Sequence, residues 1–189
     1  LAQLDKRARR LPWGDWLRPD VPVTVEATTR ASRIYHQGAA AQRVRTAIAE
    51  TLGAPVAEGA SADAIAVLVR IERNLSTISI DASGEPLHRR GFKQAVGKAP
   101  LRETLAAVFL RQAGFEGAAP VVDPLCGSGT LVLEAAEIAC GLAPGRHRPF
   151  AFERLAGFDP EAWHAMLDQA MPAEPEGPPT VASAVKLPT

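Results

Sequence analysis

The sequence lacks the features that mark several classes of protein. Its 189 residues include only two cysteines, Cys126 and Cys140, with neither a metal-type spacing nor a pair of histidines beside them. We therefore expect no metal site and a reducing compartment, although a disulfide between the two thiols is conceivable on paper. The longest apolar stretch, residues 121–143, contains three acidic side chains, so we expect no membrane span.

The first residues are basic and polar and lack the apolar core of a signal peptide, which favours a cytoplasmic protein. The formal net charge is zero, but the charges are unevenly spread. Residues 1–117 carry 17 Lys and Arg against 12 Asp and Glu, whereas residues 118–189 carry 4 against 9. A basic first part suggests a polyanionic partner, and ordinary variation between domains is the alternative explanation.

The first half of the chain has the pattern of a small α/β module. Residues 21–27 alternate apolar and polar side chains, as a strand does. Aliphatic side chains recur at helical spacing over residues 37–52, and Gly53 follows as a stop signal. Two further alternating runs, residues 64–72 and 75–82, predict a β-hairpin. Trp13 and Trp16 are spaced to share one helical face.

The second half predicts helices around one short strand. Helices are expected over residues 101–112, closed by Gly114, and over residues 130–140, closed by Gly141. Residues 120–124 have the composition of a buried strand, and residues 162–170 form a further short helical pattern. Residues 171–189 are rich in proline and alanine, and we expect them to be disordered.

The turn between residues 123 and 130 carries the clearest chemical signal. In a parallel sheet, a glycine-rich turn between a strand and a helix lies where such sheets bind ligands. A P-loop needs a lysine that this turn lacks, and the third glycine of the dinucleotide fingerprint is absent. S-adenosylmethionine (SAM) has both an ammonium and a carboxylate, which suit the Asp123 carboxylate and the backbone N–H groups. A plain strand-to-helix turn capped by Asp123 is the alternative.

Four segments, residues 32–48, 78–92, 99–115 and 123–159, together resemble the RNA methyltransferases that carry a THUMP domain. The bacterial large-subunit rRNA guanine-N2 methyltransferases are the most similar group. The resemblance implies an α/β protein with a THUMP-like RNA-binding module in residues 1–85. The N-terminal part of a Rossmann-like, SAM-dependent methyltransferase domain would follow in residues 86–170, and residues 171–189 would form a tail.

The resemblance also implies which residues contact the cofactor and the RNA. SAM would be held by the turn and by the start of the preceding helix: Asp123, Leu125, Cys126, Gly127, Ser128, Gly129, Thr130, Pro100, Leu101, Arg102 and Glu103. Glu134 would brace the turn, Cys126 would pack in it, and Glu103 is alternatively a charge favoured by the helix dipole. RNA would be bound by basic side chains, of which each is alternatively a solvated surface charge: Arg89, Arg90, Lys93 and Lys98 around Phe92, with Arg30, Arg33, Arg43 and Arg45.

The implied reaction transfers the sulfonium methyl group to an exocyclic nitrogen of a flipped-out base, with guanine N2 favoured and rRNA favoured over tRNA. The sequence lacks three family features: the Asn-Pro-Pro-Tyr type segment, an acidic second strand for the SAM ribose, and the ferredoxin-like segment before THUMP. We therefore expect a truncated chain with little methylation of its own. A non-catalytic RNA-binding protein is the alternative, and an oxidoreductase is disfavoured by the missing fingerprint.

Overall fold

The computed structural model describes residues 1–57, 59, 61, 63–90 and 101–170, which form two compact units. The first unit contains Leu1–Gly84 and Phe150–Pro160, and the second contains the described residues of Glu85–Pro149 and those from Glu161 onward. The sequence predicts a domain boundary at residues 85 and 86, one residue from this division. The predicted tail at residues 171–189 lies outside the described residues.

A mixed three-stranded sheet forms the centre of the first unit. Its strands are β1 (Val23–Arg30), β2 (Ile65–Glu72) and β3 (Leu75–Ile80), in the spatial order β1-β2-β3. β1 runs parallel to β2 from the pair Val23 and Ile65 to the pair Arg30 and Glu72, whereas β2 and β3 are antiparallel. The predicted strand and hairpin are confirmed, and β1 extends to Arg30.

The β2–β3 connection is a two-residue turn with both residues in the left-handed region. Arg73 has φ 50° and Asn74 has φ 67°. A turn with two positive φ values follows the right-handed twist of the strands that it joins, and asparagine tolerates this conformation well. The local sequence therefore fixes the register of the hairpin.

Helix α2 spans Gln37–Leu52, as the sequence predicts, and ends at Gly53 with φ 76°. Its small and aliphatic residues are buried: Ala40, Ala41, Val44, Ala47 and Ile48. They share one hydrophobic core with the alternate, inward-facing residues of β2, which are Ile65, Val67, Val69 and Ile71. Burial of this apolar surface is the main stabilising contribution in the first unit.

Helix α1 (Ala2–Ala8) packs against α2, and a short 3₁₀ turn at Trp13–Asp15 follows it. The prediction that the two tryptophans share a face is wrong. Trp13 is buried and its Nε1–H donates to the Ala8 carbonyl at 2.8 Å, whereas the Trp16 side chain is 59% exposed. The turn ends at Asp15, and Trp16 has φ −122°, so helical periodicity no longer applies at that residue.

A later segment, Phe150–Pro160, returns to the first unit. The Phe152 N–H donates to the Ala82 carbonyl at 2.9 Å, and the Ala156 N–H donates to the Trp16 carbonyl at 3.0 Å. Ala151 is buried in the core of this unit. The methyltransferase domain that the resemblance implies, residues 86–170, includes this segment.

The described helices of the second half are α3 (Glu103–Gln112), α4 (Thr130–Ala139) and α5 (Pro160–Ala170). α3 packs on α4. The predicted helices are thus confirmed, with ends that differ by up to two residues. No helix in the described part of the chain is both long and apolar enough to cross a membrane.

The predicted strand at residues 120–124 is wrong, because these residues are irregular and Val122 is 68% exposed. A strand forms only beside a hydrogen-bonding neighbour, and the described residues of the second unit include no strand with which this segment could pair. Just before this segment the chain packs tightly on α4. A Cβ added at Gly117, where φ is 107°, would lie 2.9 Å from the Ala139 Cα atom.

Truncation of Ile48 tests the core of the first unit. Ile48→Ala removes a fully buried side chain and should lower the free energy of unfolding by about 2–5 kcal/mol. The control Gln42→Ala changes an exposed residue of the same helix and should stay within about 0.5 kcal/mol. Urea unfolding followed by the fluorescence of buried Trp13 measures both. Equal losses in the two variants would contradict the assigned core.

Candidate functional site

The turn from Asp123 to Thr130 is held by short-range hydrogen bonds. The Leu125 N–H donates to Oδ1 of Asp123 at 3.0 Å, so this carboxylate orders the start of the turn. The Gly129 N–H donates to the Cys126 carbonyl at 2.7 Å. Gly127 has φ 53° and Gly129 has φ 75°, a region where side chains other than glycine are strained. The glycines are therefore required by the backbone path.

Helix α4 begins directly after the turn and has no side-chain cap, because its N-cap residue is Gly129. The N–H groups of a first helical turn have no partners within the helix, so they can bind an anionic group. Thr130 is buried, and its hydroxyl lies 3.3 Å from that of Ser128. These two hydroxyls lie beside the uncapped helix end.

The turn has room for a ligand. A Cβ added at Gly127 would have the Leu125 carbonyl as its nearest neighbour at 4.0 Å, and one added at Gly129 would have Cδ1 of Leu133 at 4.0 Å. Leu125 is 82% exposed, so its side chain does not fill this space. An amino acid group needs an anion for its ammonium and N–H donors for its carboxylate. Asp123 and the uncapped helix end supply both, and these residues fit the amino acid end of SAM.

Helix α3 packs beside α4, and the residues at its start are predicted to contact SAM. Arg102 is exposed as the N-cap of α3, and Glu103 is buried at the first helical position. Leu101 is half-buried before them, and Pro100 lies outside the described residues. A role for these residues in cofactor binding stays a prediction.

Arg90 lies in a different environment from the one that the sequence predicts. Its Nη1 is 3.1 Å from Oε2 of Glu134, and the two side chains are 6% and 1% exposed. A guanidinium that is buried against a carboxylate offers little surface to a phosphate group. We therefore correct its assignment from an RNA contact to an internal ion pair. The sequence could not show this, because a basic run normally indicates an exposed surface.

The other basic residues of that segment are only partly described. Arg89 is 66% exposed and lies 3.4 Å from Glu85, a surface ion pair of small energetic value. Phe92, Lys93 and Lys98 lie outside the described residues. An RNA contact by Arg89, Lys93 and Lys98 stays a prediction.

Basic residues also meet at one end of the sheet in the first unit. We call this surface the arginine corner and define it as Arg30, Arg33, Tyr35 and Arg73. β1 and β2 are parallel and end side by side, and the Arg73 N–H donates to the Arg30 carbonyl at 3.1 Å. The amide oxygen of Asn74 accepts from the Arg33 N–H at 2.9 Å and is 3.2 Å from the Ser32 hydroxyl. The hairpin turn thus fixes the loop after β1.

The aromatic ring of the arginine corner faces solvent. Tyr35 is 80% exposed, and the Thr29 hydroxyl donates to its carbonyl at 3.1 Å. Ala31, within the same loop, has φ 47°, an uncommon and strained value for alanine. The sequence indicated Arg30 and Arg33 but not Tyr35 or Arg73. The Arg73-Asn74 pair is a recognisable hairpin-turn signal. Because β2 runs parallel to β1, the turn after β2 lies beside the end of β1.

The two predicted arginines of α2 differ in their surroundings. Arg43 is exposed, as predicted. Arg45 is half-buried, and one of its Nη atoms donates to the Val25 carbonyl at 3.2 Å. Part of the Arg45 guanidinium is therefore engaged with the protein, and Arg43 is the better placed of the two to contact a phosphate.

A groove of about 860 Å³ lies in the first unit between α1 and β3. Apolar side chains such as Leu4, Trp13 and Ile78 dominate its lining, and Arg7 is its one charged lining residue among those the structure describes. This groove carries no arrangement of acids, bases or nucleophiles. The candidate chemistry of the chain lies at the glycine turn instead.

The glycine turn lies within a part of the chain that matches a known protein family. Residues 90–178 match the family described as RMKL-like, methyltransferase domain. A Synechocystis protein named "Putative RNA methyltransferase slr0064" is 34% identical over 90% of this chain and 46% of its own length. The Ribosomal RNA large subunit methyltransferase K/L of Chromohalobacter salexigens is 36% identical over 88% of this chain and 24% of its own.

A solved structure shows the same relationship. The "predicted N6-adenine-specific DNA methylase" of Listeria monocytogenes superimposes with a TM-score of 0.77 at 31% identity, covering 89% of this chain and 46% of the other. This chain spans less than half of that structure and less than half of each of the two curated relatives. It is a partial homologue of the SAM-dependent methyltransferases that carry a THUMP domain. Within that class it is related to the large-subunit rRNA methyltransferase K/L proteins.

Three glycine-to-alanine variants test the local structure around the turn. Gly117→Ala should destabilise most, because it adds a steric clash with α4 to a positive φ. Gly129→Ala should cost about 1–2 kcal/mol from its left-handed backbone alone. Gly38 lies in α2, and a Cβ added there would have no neighbouring atom within 4 Å, so Gly38→Ala should be neutral or stabilising. Chemical denaturation measures all three, and the reverse order would contradict this geometry.

Proposed function

We propose that the chain supplies the methyl-donor and RNA-binding parts of a SAM-dependent RNA base methyltransferase, with guanine N2 of large-subunit rRNA as the target. The open glycine turn before α4 is the observation that carries this proposal. The match of residues 90–178 to a methyltransferase domain supports it. Bound SAM would supply an electrophilic methyl group, and the protein would contribute mainly alignment.

Asp123 and the first turn of α4 would hold the amino acid end of the donor. Oδ1 of Asp123 already accepts the Leu125 N–H, and its second oxygen has no partner among the described residues. That oxygen is free to accept from an ammonium group. The uncapped N–H groups at Thr130 and Leu131 would receive the carboxylate, a charge that the helix dipole favours.

The arginine corner would bind RNA. Arg33 and Arg73 have no ion-pair partner in the described part of the chain, so both guanidinium groups are available to phosphates. Tyr35 lies in the same loop as Arg33 and is 80% exposed, and an exposed ring is a stacking platform for an unpaired base. This combination suits single-stranded RNA better than a duplex, whose bases are already stacked.

One observation favours a second candidate function. The residues before the turn are irregular, and Val122 is exposed where the first proposal expects a buried strand. The second candidate is a non-catalytic RNA-binding protein that retains the turn as a packing element. The two functions differ in donor binding and agree on RNA binding.

Donor binding is tested by titrating S-adenosylhomocysteine (SAH) into the protein by calorimetry. Asp123→Asn removes the negative charge that would pair with the ammonium group, and the Kd of this variant for SAH should rise by about 10-fold or more. The matched control Asp168→Asn changes an exposed carboxylate of α5 and should leave Kd unchanged. Saturable SAH binding would support the methyltransferase. Absence of SAH binding together with salt-dependent RNA binding would favour the second candidate.

RNA binding by the arginine corner is tested with single-stranded RNA over a range of salt concentrations. The double variant Arg33→Ala/Arg73→Ala removes two phosphate contacts, and the slope of log K against log salt should become shallower by about 1.4. Tyr35→Ala should weaken binding by about 1–3 kcal/mol and leave the slope unchanged, because stacking releases no counterions. Fluorescence anisotropy measures both quantities.

The control for these RNA measurements is Arg18→Ala, which removes an exposed arginine that Asp20 already neutralises at 2.7 Å. It should leave both the affinity and the salt slope as in the unaltered protein. An equal effect of Arg18→Ala and of the double variant would show that RNA follows overall charge and not the arginine corner.

A further inference from the structure

We infer that Arg90 is a positioning residue of the donor site, which sets the start of α4 through a buried ion pair with Glu134. The inference rests on the proposed function, since it concerns the same glycine turn. It assigns to Arg90 a role inside the protein, where the sequence suggested a surface contact with RNA.

The pair lies close to the turn along α4. Glu134 is four residues after Thr130, so it lies one helical turn from the uncapped end of α4. Its side chain is 1% exposed and that of Arg90 is 6% exposed, with 3.1 Å between Nη1 and Oε2. Arg90 belongs to the chain segment before α3, so the ion pair ties two distant parts of the second unit together.

Stability alone does not explain why a charged pair occupies this position. Removing two charges from water is costly, and well-packed apolar residues of similar size often replace a buried ion pair without loss of stability. An ion pair differs from apolar packing in its directionality, because it fixes the distance and orientation of the groups that it joins. Such a contact is useful where a backbone must be held within a fraction of an ångström.

The turn needs such an anchor because it has few side chains of its own to hold it. Gly127 and Gly129 make no side-chain contacts, and Leu125 points into solvent. The backbone bonds of the turn lead into α4, where the Leu133 N–H donates to the Gly129 carbonyl at 2.9 Å. A rotation of α4 would therefore move the N–H groups that the donor carboxylate needs. The Arg90–Glu134 pair opposes this rotation.

The same helix provides a matched control. Glu137 forms a two-fold hydrogen-bonded pair with Arg146, with 2.6 Å between Oε1 and Nη2. This pair is also largely buried, at 15% and 14% exposure. The hydrogen bond to Glu137 is the main cause that raises the pKa of Arg146, and the charge of Glu134 is the smallest contribution. It lies nearer the C-terminal end of α4, away from the turn.

The experiment compares R90M/E134L with R146M/E137L, in which each ion pair is replaced by apolar side chains of similar size. The exchange rates of the Gly129 and Leu133 amides, which are hydrogen-bonded to the Cys126 and Gly129 carbonyls, are measured by NMR without ligand, and the Kd for SAH is measured by calorimetry. R90M/E134L should increase amide exchange in the turn by at least 10-fold and weaken SAH binding by at least 10-fold. R146M/E137L should leave both within about two-fold of the unaltered protein.

Unchanged exchange rates and an unchanged Kd in R90M/E134L would overturn the inference, as would equal effects of the two double variants. If the unaltered protein binds no SAH, the proposed function fails. The exchange rates then still decide whether the pair positions the turn. If R90M/E134L does not fold, R90K carries the same comparison, because its shorter, non-planar head group cannot reproduce the guanidinium contact. Exchange and affinity equal to the unaltered protein in R90K would then overturn the inference.

Discussion

A glycine turn can approach a ligand closely only if something other than its own side chains holds it in place. In this protein that constraint centres on the turn before α4, where Gly127 and Gly129 have left-handed backbones and open space around them. The Asp123 carboxylate orders one end of the turn. The other end continues into a helix whose inner face carries the buried Arg90–Glu134 pair. The geometry of the proposed donor site depends on these two contacts.

The first unit uses a different means to present its proposed binding surface. Its sheet and α2 form an ordinary apolar core, which holds the parallel ends of β1 and β2 side by side. The Arg73-Asn74 turn then fixes the loop that carries Arg33 and Tyr35. Cationic side chains and an exposed ring are thereby held at the end of the sheet. Under the proposed function, the first unit would bind RNA and the second would bind the methyl donor.

Sequence reasoning succeeded where local patterns determine the structure. Helix α2 was predicted to the residue, because its apolar spacing and the stop at Gly53 are both local signals. The strand at residues 120–124 was wrong, since a strand depends on neighbours that composition does not reveal. Arg90 was misplaced for a similar reason: its partner Glu134 is remote in sequence. Tyr35 was missed because the Arg73-Asn74 turn signals a hairpin but does not show that β1 pairs parallel to β2 and therefore ends beside this turn.

The central claim, that the turn seats the amino acid end of a methyl donor, is tested most directly by NMR on the isotope-labelled protein during addition of SAH. The account predicts saturable chemical-shift changes at the amides of Gly127, Gly129 and Leu131, with the N–H groups at the start of α4 most affected. Changes confined to the groove between α1 and β3, or no changes at a large excess of SAH, would contradict it.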